Sequence, residues 1–410
     1  MRTGGGPVVR TRSVPSGRPP RRVFDGRMST IQASPGAPAP IWSERQLPGH
    51  AGRAVAATFG IAFALIACVA VLPYLVTGLG VAGVVISGVA ALVPFAIVLL
   101  VVRWIDRWEP EPRPALVFAV LWGAGVAVSV ALLFDLGVQI AANAAGAQPS
   151  SFLQAVVQAP LVEEGAKGFG VLLLLWFNRR NFDGPVDGIV YASTIAGGFA
   201  FTENIQYFGR TLVENGLGPQ FIVIFVARGI FSPFAHALFT SCTGYALGRA
   251  AERVGGARAI GYYVLGVIPA ACLHALWNGG LALARNSIEY YFVVEVPLFL
   301  LAVGLVLAVR RRERAITRTR LTEYAGAGWF TPDEVDLLST WTGRRHAMRW
   351  ADAQPDRRRK RAAMTRFVRD ATRLGHARQR LVRSRTAVGR TPDEQELLGR
   401  IVADRAVLTS

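Results

Sequence analysis

The sequence predicts an all-α membrane protein, a polytopic bundle of about eight transmembrane helices with basic cytoplasmic tails. The chain has 410 residues, of which 52% are hydrophobic and only 18% are charged. The net charge of +18 is carried by the two ends: residues 1–53 carry +7 and residues 310–410 carry +12, whereas residues 54–309 carry −1. A nearly neutral apolar middle between basic ends is typical of membrane-embedded sequence and disfavours a water-soluble globule.

Eight apolar stretches in the middle zone are each long enough, at about 20 residues, to cross a hydrocarbon core about 30 Å thick. They are drawn at about 54–77, 81–102, 114–141, 152–177, 186–208, 221–248, 259–284 and 288–309. The loops after the second, fourth and sixth stretches contain two or three arginines each, and the alternate loops contain at most one. The positive-inside rule therefore predicts that both termini are cytoplasmic.

The two ends differ from the middle in composition and charge. Residues 1–53 are rich in Pro, Gly and Arg and are predicted to be a disordered basic tail. Residues 310–410 are predicted to be a basic cytoplasmic helical tail, with a helix-start signal at Thr331 to Glu334 and a basic run at 357–361. For these tails we expect binding to anionic lipid headgroups in preference to nucleic acid.

The fourth span carries three charged residues, Glu163, Glu164 and Lys167. A charge at the centre of a bilayer costs at least ~2.5 kcal/mol, so each such residue is a functional hypothesis. Successive helical residues diverge by about 100°, so the two carboxylates cannot point in one direction, whereas Glu163 and Lys167 share a face. One carboxylate can act as base or ligand while the other hydrogen-bonds a neighbouring helix. The alternative is an ion-pair network that only holds the bundle together.

Further ionisable groups lie in the next three spans. Glu203 is in the fifth span, and the two histidines of the middle zone, His236 and His274, are in the sixth and seventh. Imidazole and carboxylate groups buried in lipid-spanning helices favour a metal site or an acid–base site. Asn278, one turn after His274, either donates to a developing oxyanion or cross-links helices. Arg228 either pairs with Glu203 or Glu214 or snorkels.

The order of these blocks along the chain resembles the PrsW family of intramembrane proteases, within the superfamily of CAAX-processing and bacteriocin-processing enzymes. The resemblance covers about residues 54–309, which it marks as a transmembrane protease domain. The blocks that carry it are Asp106 to Arg113 (DRWEPEPR), Glu163-Glu164-x-x-Lys167, Asp187-x-x-x-Tyr191, Gly198-Phe199-Ala200-x-x-Glu203-Asn204-x-x-Tyr207, His236 and His274-x-x-x-Asn278.

The resemblance implies hydrolysis of peptide bonds in a single-span membrane protein, such as an anti-sigma factor, with a divalent metal such as Zn²⁺. The resemblance carries over to Glu163, Glu164, His236, His274 and Asn278. Our hypothesis is that Glu163 acts as base or metal ligand and that His236 and His274 bind the metal or orient water. In the same hypothesis Glu164 and Glu203 complete the catalytic site and Asn278 steadies the oxyanion. Glu203 replaces a histidine of the prenyl-protein-processing relatives, and a glutamate–histidine pair could activate water without metal. The rival hypothesis is a transporter or channel that uses the same glutamates and histidines to relay protons or cations.

Overall fold

A computed structural model of the protein describes residues 50–410 except residues 180, 254–255 and 384–390. The described residues are helical and contain no strand, which confirms the predicted all-α class. The predicted disordered tail lies, up to residue 49, outside the described residues. The chain divides into two compact units, a membrane unit over Gln46–Arg310 and a second unit that contains Arg311–Ser410.

The membrane unit is built from seven helices in the described residues. They are α1 (His50–Ile105), α2 (Arg113–Ala144), α3 (residues 151–177), α4 (Pro185–Asn215), α5 (Pro219–Arg253), α6 (Ala259–Leu283) and α7 (Ser287–Gly326), which continues into the second unit. Helix α1 is bent at Gly80, whose φ of +70° is accessible to glycine and strained for other residues. The bend separates two arms that correspond to the first two predicted spans.

Five helices of the described residues, α1, α2, α5, α6 and α7, are long and apolar enough to cross a membrane. The number eight therefore stays a prediction. Helix α3 carries Glu163, Glu164 and Lys167, and α4 contains four glycines, three threonines and four charged residues. Helix α4 packs against α1, α2, α3 and α5, and its Tyr191 and Ile195 are fully buried. A polar helix is tolerated at this position because other helices, rather than lipid, surround it.

Helices α4 and α5 run antiparallel at very close range. A Cβ atom added to Gly188 would lie 2.0 Å from the carbonyl oxygen of Gly244, so the two backbones touch where only glycine fits. Further along the pair, the hydroxyls of Ser193 and Ser241 are 3.1 Å apart. This register brings the middle of α4 opposite the middle of α5, and it places Glu203 beside His236.

Helix α5 is irregular where it approaches the site. Its residues Val226–Phe231 form a wide π-helical turn, the chain breaks from the helix at 232–234, and a regular helix restarts at Ala235. Arg228 lies in the wide turn, and His236 is the second residue of the restarted helix. Wide turns of this kind occur frequently at functional sites, because they turn side chains out of the regular helical spacing.

In the second unit, four further helices pack with the end of α7. They are α8 (Pro332–Ser339), α9 (Trp341–Asp352), α10 (Arg357–Arg383) and α11 (Thr391–Thr409). The predicted helix start is a capping box, in which Glu334 N donates to Thr331 Oγ1 at 3.1 Å and Thr331 N donates to Glu334 Oε2 at 2.8 Å. Leu338, Phe367 and Ile401 belong to one buried core, so the basic segment is a folded helical unit.

Candidate active site

Glu164 contacts polar side chains from three helices of the membrane unit, α3, α5 and α6. Its Oε1 lies 2.7 Å from Lys167 Nζ and 3.2 Å from His274 Nδ1, and its Oε2 accepts a hydrogen bond from Thr240 Oγ1 at 2.7 Å. The glutamate is fully buried. Because both of its oxygens are satisfied by α3, α5 and α6, Glu164 fixes the positions of its neighbours.

Lys167 places a positive charge among the carboxylates. Its Nζ lies 3.3 Å from Glu163 Oε2 and 3.2 Å from His236 Nδ1, in addition to its contact with Glu164. The ammonium group also sits 4.0 Å from the ring centroid of Phe199. A fully buried ammonium ion is tolerable only with such compensation, so Lys167 offsets part of the negative charge of the glutamate pair.

His236 is held between a cation and a carboxylate. Since Lys167 can only donate, Nδ1 of His236 accepts from it, and the opposite nitrogen, Nε2, donates to Glu203 Oε2 at 2.9 Å. Arg228 forms an ion pair with the same Glu203 oxygen, and its Nε donates to Asn204 Oδ1 at 2.9 Å. Of the alternatives open for Arg228, the structure therefore pairs it with Glu203.

Three groups in this cluster form a set that could hold a metal ion. One donor atom each from Glu163, His236 and His274 lie within 4.8 Å of one another. Two imidazoles and one carboxylate are the donor set of many catalytic zinc sites. The hydrogen bond of His274 Nδ1 to Glu164 leaves Nε2 free for a metal, which is the usual arrangement for a ligating histidine. The residues present fit a divalent ion. At His236, such an ion would replace the contact with either Lys167 or Glu203.

An open pocket adjoins the cluster. Glu163 and Glu203 line it, together with apolar residues that include Val128 and Leu132. Among the described residues, the structure gives Oε1 of Glu163 and Oε1 of Glu203 no hydrogen-bond partner. Two carboxylate oxygens are therefore available to a molecule that enters the pocket.

Not every predicted site residue joins the cluster. The side-chain amide of Asn278 donates to the backbone carbonyl of Ala155 at 2.8 Å. Of the two alternatives for this residue, an oxyanion donor or a link between helices, this contact is a link between α6 and α3. Thr240 was missed by sequence reasoning, although it lies one helical turn after His236 on the same face. That spacing is the signal that could have found it.

Comparisons with known proteins identify the family of the chain. The family model described as PrsW family intramembrane metalloprotease matches residues 111–312. A Protease PrsW from Geobacillus kaustophilus is 32% identical over 200 residues, which cover 48% of this chain and 78% of that relative. The chain belongs to the PrsW family. Another Protease PrsW, from Bacillus subtilis, is 27% identical over 207 residues, covering 50% of this chain and 87% of that relative. The one from Oceanobacillus iheyensis is 41% identical over 101 residues, 25% of this chain and 42% of that relative.

Membership of the PrsW family confirms the resemblance read from the sequence. The chain is an intramembrane protease and a multi-pass membrane protein, and the transporter alternative is not favoured. The family description as a metalloprotease implies a metal. No solved structure matches the chain.

Proposed function

We propose that this PrsW family member hydrolyses peptide bonds of membrane proteins at the cluster formed by Glu163, Glu203, His236 and His274. The observation that carries the proposal is the convergence of metal-ligating groups from α3, α5 and α6 beside an open pocket. Hydrolysis of an amide within a membrane requires water, a proton acceptor and a polar cavity supplied by several helices. The cluster supplies carboxylates that can accept a proton, and the pocket is a partly polar cavity open to water.

Glu163, His236 and His274 would hold a divalent ion such as Zn²⁺. When bound, such an ion polarises the scissile carbonyl and lowers the pKa of a water molecule towards ~7. Glu164 keeps the His274 ring in one tautomer through the hydrogen bond to Nδ1. Lys167 balances part of the charge of the two adjacent glutamates.

Glu203 is the group that would move the proton. Glu203 lines the pocket, and its Oε1 has no hydrogen-bond partner among the described residues, whereas its Oε2 is fixed by Arg228 and His236. The carboxylate takes a proton from the attacking water as the new C–O bond forms. It then returns that proton to the amide nitrogen as the C–N bond breaks, so one water is consumed for each bond cleaved. Arg228 is a positioning residue that orients this carboxylate.

The substrate we propose is a single-span membrane protein, of which an anti-sigma factor is one example. A peptide bond in a helix must be unwound before water can attack it, and an open pocket with apolar and polar walls accommodates an unwound apolar segment. We also propose cytoplasmic termini, from the loop charges. Anionic lipid would bind the exposed basic run of α10, formed by Arg357, Arg358, Arg359 and Arg361.

Reconstitution with a panel of model single-span proteins tests the proposal. We expect Glu163→Gln, His236→Ala and His274→Ala each to lower cleavage at least 100-fold, since each removes a ligand. Glu289→Gln and His346→Ala are matched controls, because both residues are exposed and outside the cluster. They should cleave as the wild type does. Cleavage that survives all three cluster substitutions would refute the proposed site.

A further inference from the structure

Arg210 is an exposed cation that lines the pocket and has no partner in the described part of the chain. The structure gives its guanidinium neither an ion pair nor a hydrogen bond with another described residue. Glu214, one turn further along α4, makes no ion pair with it. An arginine carries five N–H donors in a planar fork that matches a carboxylate. The pocket therefore contains an unused carboxylate-binding group.

Arg210 lies on the same stripe of α4 as the proposed proton acceptor. Glu203, Gln206 and Arg210 are spaced at i, i+3 and i+7, which places them on one face of the helix, and all three line the pocket. Seven residues of α-helix rise about 10 Å. An extended peptide covers about 3.3 Å per residue, so about three residues of unwound substrate would reach from Glu203 to Arg210.

Gln206 lies between the two charged residues and is also unpartnered. No hydrogen bond joins its amide to another described residue. An unwound segment exposes backbone N–H and C=O groups, and within a membrane these groups must find partners. The Gln206 amide supplies both a donor and an acceptor at this point of the stripe. The stripe thus offers contacts to the backbone and to one acidic side chain of an extended peptide.

We infer that Arg210 selects substrates that carry an Asp or Glu about three residues from the cleaved bond, toward the C-terminal end of α4. This inference rests on the proposed function. The charge distribution in the pocket favours this position. Lys167 and Arg228 compensate the charges of Glu163 and Glu203, whereas no described residue compensates the charge of Arg210. Arg210 therefore attracts a carboxylate placed about 10 Å along α4 from Glu203. Arg210 is therefore a specificity-determining residue, and its ligand is a side-chain carboxylate of the substrate.

The test uses model single-span peptides in phosphatidylcholine vesicles, in which one residue is varied among Asp, Asn and Lys at each of six positions beyond the apolar span. For the wild type, we expect kcat/KM to be roughly tenfold higher for the best Asp peptide than for its Asn counterpart. Arg210→Gln should reduce this ratio to within about twofold, and Arg210→Glu should favour Lys. The preference should also shrink at high salt, as an exposed charge pair does.

Arg285→Gln is the matched control, because Arg285 is exposed and lies outside the pocket. This control should retain the full preference for Asp. Equal cleavage of Asp and Asn peptides by the wild type at every position overturns the inference. A preference that persists in Arg210→Gln overturns it as well.

A binding measurement separates this inference from the proposed function. Dye-labelled peptides are titrated against vesicles that contain Glu163→Gln, with and without Arg210→Gln, and energy transfer to a dye on the protein is recorded. Tighter binding of the Asp peptide that depends on Arg210, without cleavage by the wild type, upholds the inference while the proposed function fails. Cleavage without any Arg210-dependent binding preference upholds the proposed function and overturns the inference. Failure of every Asp peptide to bind also overturns it.

Discussion

Glu164 and His274 face each other across α3 and α6, with Oε1 of the carboxylate 3.2 Å from Nδ1 of the imidazole. A carboxylate that is ionised can only accept, so Nδ1 carries the proton and Nε2 presents its lone pair. The exposed fraction of the His274 residue is 3%, and Glu164 is fully buried, so this hydrogen bond is shielded from water. The two adjacent glutamates consequently have different tasks: Glu164 orients a histidine, and Glu163 reaches the pocket.

Glu164→Gln should weaken metal binding. The neutral amide makes a weaker hydrogen bond to His274 and leaves Lys167 with less compensation, and loss of such an outer partner typically lowers metal affinity by about 10–100-fold. Competition with a chelator of known affinity measures the effect. Glu289→Gln, at an exposed position in the first turn of α7, serves as the control and should leave the affinity unchanged. Unaltered affinity in Glu164→Gln would contradict the orienting role.

The pair of Arg228 and Glu203 should be energetically coupled. Arg228→Leu removes the ion-pair partner of the mostly buried Glu203 carboxylate, and we expect it to lower the free energy of unfolding by about 2 kcal/mol. The double variant Arg228→Leu/Glu203→Leu should be destabilised by less than the sum of the two single variants. Unfolding titrations in mixed micelles give the coupling energy. Additive effects would show that the ion pair contributes nothing to stability.

Asn278→Ala distinguishes a structural link between helices from a hydrogen-bond donor to the oxyanion. Because its amide donates to the carbonyl of Ala155, we expect a loss of about 1 kcal/mol in the free energy of unfolding and less than a threefold loss in kcat/KM. Loss of a donor to the oxyanion would instead lower kcat by about 100- to 1000-fold. Steady-state kinetics on the reconstituted protein distinguish the two. A loss of that larger size with unchanged stability would establish the catalytic alternative.

Stability should fall as the pH rises through the titration of Asp106. This residue lies in the loop between α1 and α2, and burial raises the pKa of its carboxyl to about 7, although the backbone N–H of Glu111 donates to it. The folded protein therefore holds a proton that the unfolded chain releases near pH 4, so this contribution to stability is present below about pH 4 and is lost by about pH 7.

Asp106→Asn should remove this part of the pH dependence. Relative to the wild type, the variant should lose about 3 kcal/mol less free energy of unfolding between pH 4 and pH 7. Thermal unfolding measured across this range provides the comparison. Asp356→Asn is the control, because Asp356 is exposed. If the stability curves of the Asp106 and Asp356 variants run parallel, the carboxyl of Asp106 does not titrate in this range.

The chemistry of the candidate site was accessible from the sequence, because charged residues inside apolar spans are rare. Glu163, His236 and His274 stood out for that reason, and the structure brings them within reach of one metal ion. The partners of these residues were less accessible. Thr240 is a threonine within a helix, and its residue type does not predict a hydrogen bond to Glu164, which lies 76 positions earlier in the sequence.

Helix register and helix irregularity explain most of what sequence reasoning left open. The pairing of Arg228 with Glu203 depends on the register of α4 against α5, and the close contact between Gly188 and Gly244 sets that register. It also depends on the wide turn in α5, which a regular helical period does not predict. The second unit was predicted as helical, but its common core depends on contacts between distant segments such as Phe367 and Ile401.

The metal content of the purified protein tests the central claim most directly. After loading with Zn²⁺ and removal of excess metal, we expect about one equivalent bound to the wild type and to His346→Ala. We expect a large loss in His236→Ala, in His274→Ala and in Glu163→Gln, with cleavage declining in parallel. Full cleavage by protein from which a chelator has removed all metal, or equal metal content in all five proteins, would contradict a metal centre formed by Glu163, His236 and His274.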